Sequence, residues 1–403
     1  VTRTRLFPYP EQRVLEDAAF ARGVTPTRIF GVLLPVWCVT IQADVTEAED
    51  YELIDRYLAR GIAEGGLSTT AGLADFYALE SELVDRALRA LGAIGHVTRS
   101  ADGRWALTTL GLRSVQDRKR YVVTREDRRK LYFDAFGSRP LPRPCYDTRR
   151  VTMIPAAELP AGGLDDGPRF HALHSTRGFD HRALGALAAN PRRDRFNLPE
   201  RIDRLRELDA AELVFLPLHV VRGADRHGRI RLLAYGQAAA EADPDLGDLL
   251  DATPEVLAVL DAELSSARPQ DVVDRAREWL RRRDLGDHRP ERLPNGLLRV
   301  GLPATAFGDG DRLPSHRVGS FVVQGNGFFQ LWCDDVGVRR RALLGRVDAL
   351  LAARSRVDRD QLLDRVRRMA VQLDLGEVGL PDVRRWAEAA GRRGLAAQLD
   401  RIR

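Results

Sequence analysis

Between Tyr51 and Thr108 the apolar residues switch from helical to strand spacing, with turn residues at each switch, and this pattern constrains the fold of the chain most tightly. Over residues 47–63, Tyr51, Ile54, Leu58 and Ile62 recur at the spacing of one helix face, and Gly65-Gly66 ends the run. Ser68 and Thr69 have side chains suited to accept from the N–H groups of a helical first turn, which predicts a short helix from there to Phe76. A third helix is predicted over 80–91, where Leu83, Val84, Ala87, Leu88 and Leu91 share a face. Val97-Thr98-Arg99 and Trp105-Ala106-Leu107-Thr108 then flank Ala101-Asp102-Gly103-Arg104, and Asp-Gly between strand-like runs predicts a hairpin.

The run Leu-Ser-Thr-Thr-Ala-Gly-Leu-Ala-Asp-Phe-Tyr-Ala-Leu-Glu-Ser-Glu-Leu-Val-Asp-Arg-Ala-Leu-Arg-Ala-Leu-Gly-Ala-Ile-Gly-His-Val over 67–97 resembles the winged helix-turn-helix domains of bacterial regulators. Ala71 to Ala74 match the short first helix of that motif, and its tight turn ends near Leu79. Leu91 to Gly95 match the step into the wing, and Trp105 to Gly111 match the second wing strand and the next helix start. The resemblance covers residues 46–120, less than a fifth of the chain. It implies a second helix that enters the major groove and a wing that rests on the backbone or minor groove. Such domains also serve as protein-docking modules.

Charge divides this region. Residues 47–95 hold ten acidic and four basic side chains, whereas 96–130 hold ten basic and four acidic. The would-be recognition helix begins with Glu80, Glu82 and Asp85, which oppose phosphate, and phosphate contact dominates DNA affinity. The wing side carries Arg99, Arg104, Arg113, Arg118, Lys119, Arg120, Arg125, Arg128, Arg129 and Lys130. For double-stranded DNA we expect Arg99 and Arg104 to position phosphate, with Arg113, Lys119 and Arg120 extending the track. Arg86 and Arg89 are the candidates to read bases.

Elsewhere the texture is mixed. A helix is expected over 11–22 and a buried strand over 29–41, an apolar run interrupted by Pro35. Strands are expected at 121–124 and 131–133 around a charged turn at 125–130. Pro140, Pro142 and Pro144 suggest a linker, and the Gly- and Asp-rich 161–168 a loop. Helices follow at 181–189 and 198–208, then a hairpin of 213–221 and 230–235 turning at 223–226. The last third predicts helices at 254–264 and 270–282 and strands at 297–302 and 321–332, with Gln324 to Gly327 as a turn. Helices at 338–353, 358–373 and 381–402 close it.

Other chemistries find little support. The net charge is +5 over 403 residues, and lysine occurs only at Lys119 and Lys130. Overall basicity therefore argues little for nucleic acid, since so strong an arginine skew also follows from a GC-rich genome. Cys38, Cys145 and Cys333 are too dispersed for a cysteine-based zinc finger or a disulfide framework, which suits a reducing cytoplasm. The run 29–41 is too short to span a bilayer, so no membrane association is expected. No P-loop, G-x-S-x-G elbow, H-x-K pair or H-E-x-x-H occurs, and no cofactor is implied. His171-x-x-His174 with Asp180 and His181 could hold a metal, as could Asp165-Asp166, Asp309 with Asp311, or Asp334-Asp335. Each reads equally well as surface or turn.

The expected fold is α+β and multidomain: a strand-bearing lead over 1–45, the winged helix-turn-helix over 46–120, a central α+β domain over 121–250, and a C-terminal α+β domain over 251–403 ending in helices. The expected function is a non-enzymatic, DNA-associated protein, either a regulator or an accessory subunit of a DNA-handling complex. One alternative is a scaffold whose winged helix docks a protein partner or a second copy. The other is a metal-dependent hydrolase or nuclease in the central domain.

Overall fold

The computed structural model describes residues 6–159, 170–199, 201–266, 269–308, 313–324, 327–353 and 358–402. The expected loop at 161–168 with Asp165 and Asp166, the pair Asp309 and Asp311, and the turn residues Gly325 and Asn326 lie outside them. The protein is mixed α and β with a helical C-terminal region.

The chain opens with α1 (Glu11–Glu16), continued by a π-helical turn over Asp17–Ala21. Strand β1 (Thr25–Glu49) runs for 25 residues, beyond the expected 29–41. It takes 47–49 from the helix expected at 47–63, so α2 is Leu53–Ala63. Then come α3 (Thr70–Tyr77), α4 (Ser81–Ala93), β2 (Val97–Arg99), β3 (Trp105–Leu107) and α5 (Thr109–Asp117), close to the predicted positions. β4 (Arg120–Asp134) passes straight through 125–130, where a turn was expected. Its charges are answered across the sheet: Arg129 pairs with Glu47 and Asp127, and the Glu126 N–H donates to Asp44 at 2.9 Å. The prolines after it form no linker. Pro140 bridges to Phe133, and Leu141 and Cys145 are buried.

Strands β5 (Ile154–Pro155) and β6 (Phe170–Ala172) precede α6 (Arg182–Ala189). β7 (Arg201–Glu207) replaces the helix expected at 198–208. Ile202 and Leu205 have helical spacing, but β1 offers this segment an antiparallel ladder partner. β8 (Glu212–Ala224) and β9 (Ile230–Tyr235) form the expected hairpin, with longer strands and a turn at 225–229 rather than 223–226. An unforeseen helix α7 (Pro244–Asp251) leads to α8 (Pro254–Ser266) and α9 (Pro269–Arg282). Strands β10 (Glu291–Arg292), β11 (Leu298–Gly301), β12 (Phe321–Gln324) and β13 (Gly327–Trp332) come next. The chain then forms α10 (Val336–Ala352), α11 (Arg359–Gln372), α12 (Leu380–Ala389) and α13 (Arg393–Arg401). The last two replace one expected helix because Gly391, at φ 70°, ends α12.

Two compact units emerge. One comprises Val1–Trp37, Phe133–Phe179 and Leu213–Arg403, the other Cys38–Tyr132 and Asp180–Glu212. In the first, β1 pairs in parallel with β6, while β8 pairs antiparallel with β5 and β9. A four-stranded sheet is ordered β10-β11-β13-β12. Its core joins Val14, Leu15 and Phe20 to Trp279, Phe329, Leu343 and Val366. In the second unit, β7 lies antiparallel to β1 from Ile41↔Glu207 to Thr46↔Arg201, with an irregularity between Gln42 and Asp44. A separate core there unites Leu58, Leu73, Val84, Leu88, Leu91, Val97 and Trp105. Each fully buried leucine contributes about 2–3 kcal/mol by its burial. Among the described residues no helix is long and apolar enough to cross a membrane.

Candidate nucleic-acid interface

Three helices and a hairpin create the surface that carries the predicted contacts. Thr69 caps α3 by accepting from the Gly72 N–H at 3.1 Å, and α3 ends at Ala78 in the left-handed region. Only Ala78 to Glu80 separate it from α4, which turns Val84, Leu88 and Leu91 inward. Ser81, Glu82, Arg86 and Arg89 face solvent, and Arg89 pairs with Asp85 one turn back.

The hairpin is tied down at its turn end, where Trp105 faces Arg99 across the ladder. Trp105 is buried, its N–H donates to the Ser68 carbonyl at 2.7 Å, and its indole N–H donates to Thr70 at 3.2 Å. Arg99 lies 5.4 Å from the Trp105 ring and donates to the Gly103 carbonyl, while Arg104 pairs with Asp102 at 3.4 Å. Both arginines are exposed at the tip. Beyond the hairpin, Arg113 pairs with Asp117 at 3.6 Å, Lys119 is exposed, and half-buried Arg120 pairs with Glu49 at 3.6 Å. Four of the seven predicted contacts are thus engaged with carboxylates, while Arg86 and Lys119 have no ion-pair partner among the described residues. Exposed pairs of this kind are worth about 0–1 kcal/mol, so a phosphate can displace them cheaply. The side chain of Arg125 lies outside the described residues.

Behind the hairpin lies a polar cluster that the sequence reading missed. His96 is fully buried, with Nε2 2.6 Å from the Tyr121 carbonyl and Nδ1 3.3 Å from the Tyr51 hydroxyl. A carbonyl only accepts, so Nε2 carries the proton and Nδ1 accepts from Tyr51. Burial pushes the His96 pKa down, which favours this neutral form. Buried Ser114 accepts from the Tyr121 N–H at 3.2 Å, and burial raises the pKa of nearby Asp55. The cluster joins α2, α5 and β4. It contains no exposed nucleophile and reads as the joint that positions Arg120.

Two strands add further basic side chains to this unit, those of β4 expected on the wing side and those of β7 not foreseen. Arg128 and Lys130 are exposed on β4. On β7, Arg204 pairs with Asp44 at 3.7 Å and Arg206 donates to Gln42. The alternation of charges along 120–134 was the available signal, and it competed with the turn-like density of polar residues. A contrasting patch lies on α2 and α3, where Leu53, Tyr57 and Phe76 are exposed by 69%, 45% and 66%. Phe76 meets Tyr77 edge to face and Tyr57 meets it at a tilt, and the Tyr77 hydroxyl donates to the Tyr57 carbonyl at 2.8 Å.

The metal candidates are not assembled. His171 lies in β6 and His174 follows it without a helix to align the two. His181 pairs with Glu207 and Asp180 with Arg182. Asp335 caps α10, and Asp334 accepts from the Trp332 indole. Among the described residues there is no group of three His, Cys, Asp or Glu side chains able to hold a metal ion. Comparison of the chain with protein-family models, curated proteins and solved structures finds no match.

Proposed function

We propose that residues 46–120 form a winged helix and that the protein is a non-enzymatic, DNA-associated factor contacting duplex backbone through the wing. The observation that carries this reading is the hairpin itself: buried Trp105 anchors its turn end from one side, while Arg99, directly across the ladder, and Arg104 stand exposed there. An anchored turn that presents exposed cations suits phosphate contact, which needs charge and reach rather than a deep pocket. The acidic start of α4 disfavours deep insertion of that helix, so the wing leads. Arg86 and Lys119, with no carboxylate to give up, extend the same role.

A second reading is favoured by the exposed Leu53, Tyr57 and Phe76, which together with Glu80, Glu82 and Asp85 suit a protein partner presenting basic and apolar residues. One titration separates the two. Fluorescence anisotropy with a labelled duplex, repeated across salt concentrations, is expected to give affinity that falls steeply with salt. Arg99→Ala/Arg104→Ala is expected to flatten the slope of log K against log salt by about 1.8, roughly 0.9 per phosphate contact. Absence of duplex binding at low salt would remove the DNA reading and leave protein docking.

A further inference from the structure

We propose that a cleft in the first unit binds the phosphate groups of a small di- or triphosphate. The cleft has a volume of about 460 Å³ and is formed by the segment after the π-helical turn, the β8–β9 turn and one face of α11. Small-molecule sites typically fall between about 300 and 1,000 Å³. Its lining holds five arginines and one histidine against two carboxylates.

Each wall is held in place by its own bonds. In the hairpin turn, the Asp225 carboxylate accepts from the His227 and Arg229 N–H groups at 2.8 and 3.0 Å, which pins the loop and presents Arg226 at its tip. Arg22 donates to the Ala242 carbonyl at 2.9 Å and pairs with Asp17. On α11, Asp364, Arg367, Arg368 and Val371 share a face by helical spacing, and Arg368 both pairs with Asp364 and donates to the Ala21 carbonyl. Asp225 likewise answers Arg229 at 3.5 Å. Arg226 and Arg367 are left without a carboxylate partner among the described residues.

These two guanidinium groups come from different elements and have no carboxylate countercharge among the described residues, Arg226 donating only to the neutral His227 Nε2 at 3.0 Å; with three more arginines beside them they repel one another until a polyanion arrives. Paired arginines keep spare donors, since a guanidinium carries five N–H groups in a planar fork that matches phosphate. The His227 imidazole is the sole ring in the lining, so a nucleobase finds little to stack on and recognition falls to the phosphates. This inference is independent of the DNA reading.

The test is isothermal titration of the full chain with inorganic triphosphate at about 0.1 M salt, alongside its thermal unfolding. Saturable one-to-one binding and a higher Tm are expected. Arg226→Ala/Arg367→Ala should weaken binding at least tenfold. Both side chains are exposed, so the fold should survive, which the unliganded Tm verifies. Arg99→Ala/Arg104→Ala should bind as wild type does, which separates this site from the wing. A nucleoside triphosphate should bind within about tenfold of inorganic triphosphate; a much larger preference would overturn recognition through phosphate alone. No heat and no Tm shift with millimolar triphosphate would overturn the proposal. So would loss of duplex binding in Arg226→Ala/Arg367→Ala without triphosphate binding in the wild type, because the arginines would then belong to a nucleic-acid surface.

Discussion

His219 lies in β8 with its ring 4.0 Å from Phe7 and 5.7 Å from Phe170, and its Nδ1 has no hydrogen-bond partner among the described residues. Burial in this aromatic setting pushes its pKa down to about 4. The unfolded chain therefore takes up a proton on His219 near pH 6.5, while the folded chain resists until about pH 4. Stability from this residue is complete above pH 6.5 and is lost as pH falls through that window, by roughly 3 kcal/mol. His219→Phe keeps an aromatic ring among Phe7 and Phe170 and removes the titration. Urea unfolding at pH 7 and pH 4.5 should show a smaller acid loss in the variant than in the wild type. Equal losses would mean that the ring is solvated in the folded state. Nothing in the local sequence distinguishes this histidine from His171 or His174; its setting comes from residues far along the chain.

Between the hairpin and α5, local chemistry and close packing coincide. Thr108 caps α5 by accepting from the Gly111 N–H at 3.1 Å and donates to the Gly95 carbonyl at 2.6 Å. A Cβ on Gly111 would sit 2.1 Å from the His96 carbonyl oxygen. That oxygen also accepts from the Thr108 N–H at 2.9 Å, so it cannot retreat without opening the junction. Gly111→Ala is expected to destabilise the second unit by about 3 kcal/mol or more. Gly92→Ala is the matched comparison: its nearest new neighbour is 3.7 Å away, inside α4, and a change within about 1 kcal/mol is expected. Thermal unfolding followed by circular dichroism measures both, and equal melting points for the two variants would contradict the packing argument. The sequence places Thr108 in the second hairpin strand and Gly111 at a helix start, but the cap and the need for glycine exist only once His96 is overhead.

The core of the first unit draws on both ends of the described chain. Val14, Leu15, Ala18 and Phe20 pack in one cluster with Leu343, Val366, Met369 and Leu373. A fragment of residues 251–402 lacks the N-terminal part of that core and is expected to show no cooperative unfolding; a sharp thermal transition in the fragment would show that the C-terminal part is self-sufficient. The elements the sequence determined by itself are those whose partners are near. α3, α4, the β2–β3 hairpin, α10 and α11 follow from apolar spacing, a Thr cap and an Asp-Gly turn, because helical and turn hydrogen bonds close within a few residues. Only long-range pairing settles the passage of β4 through 125–130 and the strand at 201–207. Their ladder and charge partners lie on β1, as in the Arg206 bond to Gln42 across 164 positions, and no local pattern encodes a partner at that distance. The same holds for the arginine cleft, whose charges at 22, 226 and 367 are ordinary surface residues in sequence and become one electrostatic feature only when the fold brings them together.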